Sequence, residues 1–162
     1  MQGTFGELSN KEIKEELNLR TPKEVRELCL RLSRFKKENK ELLTYLLFES
    51  ADEESYIQSV KSELDEQFEE VNRKSYYLLK KSVSKILRDT RKYIRYSQNK
   101  KTEVDLLIYF CIRLKKISPS LHRNAGLHNL YTRQVENIIK KVKALHEDLQ
   151  IDYEKELVDL TK

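Results

Sequence analysis

From Lys23 to Ser118 the chain contains neither glycine nor proline, and the whole 162-residue sequence holds only three glycines and two prolines. A β-sandwich or barrel needs a turn signal every ten residues or so, so such a chain is driven toward long helices joined by few tight turns. Its length suits one domain with its own core, which needs no metal or disulfide to staple it. The expectation is therefore a single all-α domain over residues 1–162, a bundle or array of α-hairpins with five to seven helices.

The apolar spacing supports this at each step. Ser9 or Asn10 opens a short helix ending by Leu19. Thr21-Pro22-Lys23-Glu24 reads as a helix start, with Thr21 and Glu24 as a capping box and Pro22 in the first position. Val25, Leu28, Cys29, Leu32 and Phe35 recur at helical spacing. A break near Asn39 precedes KELLTYLLFES, which reads as a short buried helix. Asp52 then opens an acidic helix with Tyr56, Ile57, Val60, Leu64, Phe68 and Val71 on one side. The next stripe, Tyr76, Leu79, Val83, Ile86, Leu87, Thr90, Ile94 and Ser97, is out of phase by roughly 100°, so a turn is expected at residues 71–75.

Thr102 can cap a helix over residues 103–117 whose core, VDLLIYFCIRL, is apolar on nearly every side, as a central helix would be. A buried strand is the rival reading of that run. After Ser118-Pro119-Ser120, one long C-terminal helix is expected. His128, Tyr131, Val135, Ile138, Val142, Leu145 and Leu149 follow heptad spacing on it, slipping near Tyr153. That seam suits packing inside the bundle or, alternatively, a homodimer. Leu28, Leu32, Leu46, Leu107, Phe110, Cys111 and Leu114 are the expected core.

Net charge is +5, but it is unevenly distributed. Residues 49–70 carry nine acidic side chains against Lys61, and residues 71–101 carry eleven basic ones against Asp89. On a helical projection Lys74, Lys81, Lys85, Arg88, Lys92 and Arg95 share one arc opposite the apolar stripe, with Tyr77 among them. A rigid row of cations containing an aromatic ring suits a phosphate backbone with bases free to stack. The basic helix 72–98 thus marks a non-catalytic interaction module for nucleic acid, another polyanion or a protein partner. The competing reading is a solvated face, or one neutralised by the acidic helix beside it.

Enzyme motifs are absent. There is no HExxH, GxSxG or cysteine cluster, and glycines at 3, 6 and 126 cannot form a phosphate-cradling loop, so neither metal nor cofactor is expected. Cys29 and Cys111 lie in apolar runs and read as buried thiols of a reducing, cytoplasmic compartment. The N-terminus lacks the pattern of a signal peptide, and Val104–Leu114 is too short to span a bilayer.

Two resemblances add to this. Arg123-Asn124-Ala125-Gly126-Leu127-His128 resembles the Arg-x4–6-His signature of HEPN domains, small all-helical proteins of which many cut RNA. The resemblance implies a metal-independent ribonuclease whose sites converge between two protomers. Arg123 would hold phosphate or transition-state charge, and His128 would transfer the proton. Without it, the segment reads as a polar interhelical loop with His128 as the first heptad position. The order LSNKEIKEEL, KELLTYLLF, SVSKILRDTRKYI, LLIYF resembles an uncharacterised family of small all-helical bacterial domains, which implies a fold and no function.

Overall fold

A computed structural model describes Gly6 and residues 8–162, and every regular element among them is helical. Eight α-helices occur among the described residues, more than the five to seven expected: α1 (Asn10–Asn18), α2 (Pro22–Phe35), α3 (Lys37–Thr44), α4 (Glu53–Glu69), α5 (Tyr76–Ser97), α6 (Lys100–Lys115), α7 (Ala125–Lys143) and α8 (Glu147–Thr161). A π-helical turn, Tyr45–Glu49, and a 3-10 turn, Leu121–Arg123, complete the list. None of the helices among the described residues is long and apolar enough to cross a membrane. The chain forms two compact units, one ending at Thr44 and the other spanning Tyr45–Lys162.

In the first unit, local chemistry sets the helix starts. Ser9 and Glu12 form a capping box for α1, and Thr21 and Glu24 form one for α2 with Pro22 in its first turn. The break before α3 falls at Lys36, whose backbone is extended, rather than near Asn39. Asn39 instead donates its side-chain amide to the Leu32 carbonyl at 2.8 Å. No described residue of this unit is buried. That corrects the expectation for Leu28, which is 44% exposed, for Leu32, which is 61% exposed, and for the exposed Cys29. Helical spacing marks an apolar face but not whether anything covers it.

The second unit is built around α6. Val104, Leu106, Leu107, Ile108, Phe110, Cys111 and Leu114 are all buried on it, as expected of a central helix. α4 runs parallel to α6, since Asp65 meets Tyr109 and Glu69 meets Arg113. α5 is antiparallel to α4: the Tyr56 hydroxyl donates to the Tyr93 carbonyl at one end, and the Asn72 amide donates to Ser82 Oγ at the other. α8 is also parallel to α6, through Tyr153 to Asp105 and Lys115 to the Asp159 carbonyl. α7 packs against both α6 and α8, its Lys141 paired with Glu103 at 2.6 Å.

Three further expectations are corrected here. Asn99, not Thr102, caps α6; Thr102 is buried and donates to Glu53 at 2.6 Å. Of the stretch expected as a short buried helix, Tyr45 is buried but Leu46, Leu47 and Phe48 are exposed. The C-terminal helix is two helices, because the chain breaks at Ala144–His146. The His146 imidazole accepts from the Asp148 amide at 3.4 Å to restart it. Gln150 then donates to the Leu145 carbonyl at 2.8 Å and closes the corner. A hairpin lets Tyr131 and Tyr153 both enter the core, where the Tyr131 hydroxyl bonds the Leu160 carbonyl.

Candidate nucleic-acid interface

α5 begins where Ser75 accepts from the Leu78 amide at 3.2 Å and ends at Gln98, a left-handed residue at φ 55°. Its apolar stripe, Leu79, Val83, Ile86, Leu87, Thr90 and Ile94, is buried in the second unit. Burying that stripe sends the opposite arc outward, and the 22 residues make it about 33 Å long. Lys81, Lys85, Arg88 and Arg95 are exposed along it, and Lys74 lies in the turn just before it. Tyr77, the second residue of α5, is 76% exposed. Together with Asn72, Lys80 and Ser84, these side chains from Tyr77 to Arg88 line a shallow concavity.

Lys92 differs from the others. It is half-buried, and its ammonium lies 4.9 Å from the centre of the Tyr93 ring. Arg73, inside the basic segment, also faces the protein. Its guanidinium donates to the carbonyls of Phe68, Glu69, Val71 and Ser118, capping the end of α4.

Three acidic groups of α4 are engaged elsewhere. Asp65 accepts from Tyr109 and lies 3.0 Å from Arg113 Nε, while Glu69 takes Arg113 Nη2 at 3.0 Å. Burial and the Asp65 carboxylate together push the Tyr109 hydroxyl up to about 12. Glu53 accepts hydroxyl hydrogen bonds from Tyr45, from Ser97 at 2.8 Å and from Thr102 at 2.6 Å. Burial alone would raise its pKa, but the three hydroxyls outweigh that and hold it below the usual carboxylate range. Among the described residues, Lys74, Lys81, Lys85, Arg88 and Arg95 make no ion pair.

Three cations beyond the expected set join this surface. Lys80, Arg91 and Arg133 line a second concavity with Gly126 and Gln134, between α5 and the start of α7. Arg91 donates to Gln134 at 3.2 Å. A Cβ at Gly126 would meet Lys80 Nζ at 3.0 Å, so the missing side chain gives Lys80 its place against α7. Lys80 and Arg91 lie off the arc of α5, and only the approach of α7 brings Arg133 beside them.

The Arg123–His128 segment lies at the entry to α7. Asn124 caps this helix, accepting from the Leu127 amide at 3.0 Å. Leu127 rather than His128 is therefore the first buried position of the seam, and His128 is exposed. Its ring lies 5.5 Å from that of His122, also exposed. Arg123 is exposed in the 3-10 turn, and no hydrogen bond joins it to His128. The later seam residues Tyr131, Val135, Ile138, Val142 and Leu145 are covered by the second unit itself. No family model, curated protein or solved structure matches the chain.

Proposed function

We propose that the protein is a non-catalytic binding module that holds single-stranded nucleic acid along α5. Lys74, Lys81, Lys85, Arg88 and Arg95 contact phosphates, and Tyr77 stacks on a base. The observation that carries this reading is a row of cations without ion pairs, beside an acidic helix in which Arg113 takes Asp65 and Glu69 and three hydroxyls take Glu53. Fluorescence anisotropy with labelled single-stranded RNA and DNA tests it. With about five or six phosphates engaged, the slope of log K against log salt is about −4. Absence of binding at low salt ends the proposal.

A second reading rests on the exposure of His128 beside His122, which leaves an imidazole available for proton transfer. On it, Arg123 and His128 form a HEPN-like, metal-independent ribonuclease site. The wild-type protein then cleaves RNA in the presence of a chelator, and His128→Ala abolishes cleavage while binding persists. Equal activity in the two proteins rejects this reading.

A further inference from the structure

α2 presents an apolar stripe of Val25, Leu28, Cys29, Leu32 and Phe35 that the first unit itself does not bury; Phe35 is 77% exposed. α1 adds Ile13 and Leu17 to the wall of a groove that also takes in Leu28. So large a continuous apolar face on a unit without a buried residue marks a surface that another molecule covers.

The charges flanking the stripe say what kind of molecule. Glu24, Glu27, Arg31 and Arg34 follow one another at spacings of three and four, so they form one row along the edge of the apolar face. The row is acidic in its first half and basic in its second. Glu27, Arg31 and Arg34 make no ion pair among the described residues. Glu24 uses one carboxylate oxygen to accept from the Thr21 amide.

Such a row is complementary to itself when reversed. In an antiparallel pair of α2 helices Glu24 faces Arg34 and Glu27 faces Arg31, and both pairings centre on the same position, Cys29. The apolar stripe has its own middle at Cys29 to Leu30, so charge and hydrophobic contacts select one register. A parallel two-fold pair would put the two rows on opposite edges, where neither meets the other. A helix that lies on an anionic membrane would be basic along both halves.

We propose that the N-terminal unit is a homodimerisation surface, two copies of α2 packing antiparallel about a two-fold axis near Cys29. The interface is isologous, as closed dimers require. The apolar stripe supplies the affinity, and the charged row favours the antiparallel direction, in which alone its charges pair.

The test uses the full chain in sedimentation equilibrium, with circular dichroism to check folding. The wild type is expected as a dimer. Leu32→Asp, placed on a surface with no core to disrupt, converts it to monomer with unchanged helicity. Arg31→Glu also weakens the dimer, by at least tenfold in dissociation constant, because it sets two acids opposite each other twice. Adding Glu27→Arg to it restores the opposite charges and the wild-type dimer. A short bismaleimide joins two chains through Cys29, and Cys29→Ser abolishes the product while Cys111 remains. The proposal is overturned by any of three results: a wild-type monomer, a dimer indifferent to the Arg31 and Glu27 exchange, or a monomer that co-sediments with anionic phospholipid vesicles.

Discussion

Glu53 joins three elements through one carboxylate. Tyr45 in the π-helical turn, Ser97 at the end of α5 and Thr102 in the first turn of α6 all donate to it. Glu53→Gln keeps the shape but presents an amide whose NH2 faces hydroxyl donors, so a loss of about 1–3 kcal/mol is expected in chemical denaturation. The sign of the pH effect follows from the depressed pKa. Folding favours the ionised form, so the stabilisation is complete above the ordinary carboxylate range and is lost as pH falls through the lower folded value. The wild type therefore loses stability on acidification more steeply than Glu53→Gln. Parallel pH profiles would show that the three hydroxyls do not favour the carboxylate. Cys111 belongs to the same scale: burial pushes its thiol up to about 12, so it serves as packing, whereas Cys29 is exposed.

At the scale of the element, α5 separates two roles by face. The apolar stripe fixes its rotation, and that rotation alone decides which cations meet solvent. Tyr77 separates base stacking from general attraction to polyanions. Tyr77→Ala is expected to cost about 1–3 kcal/mol in binding single strands while leaving the salt slope unchanged. Reversal of Arg88 and Arg95 to glutamate lowers both affinity and slope, equally for all sequences. If Tyr77→Ala leaves single-strand affinity intact, the ring takes no part in binding. Lys92 is expected to contribute less than Lys85, because its ammonium already lies over Tyr93.

For the molecule as a whole, stability is concentrated around α6, which touches α4, α5, α7 and α8. Amide exchange is therefore expected to be slowest from Leu106 to Leu114, in a helix walled on all sides, and faster in α8, where Ile151 and Val158 are exposed. Exchange of α6 as fast as that of α8 would contradict a core centred there.

The caps at Ser9, Thr21 and Asp52, the turn after Val71 and the central place of α6 were all legible in the sequence. Each rests on local hydrogen-bonding chemistry or on the period of apolar residues, which are properties of neighbours along the chain. The outward placement of Tyr77, Lys81, Lys85, Arg88 and Arg95 on one face of α5 was legible in the same way, because a helix of known phase sorts its own side chains, whereas the seat of Lys92 against Tyr93 was not. Burial was not legible in this way. Leu28 and Leu32 have the spacing of core residues but meet no core, and the heptad seam continued through a corner that no glycine or proline announces. Nor could spacing show that Arg113 takes Asp65 and Glu69, leaving the cations of α5 without those partners. Periodicity fixes which side chains share a face; what covers that face depends on elements far apart in sequence, and only the tertiary structure decides it.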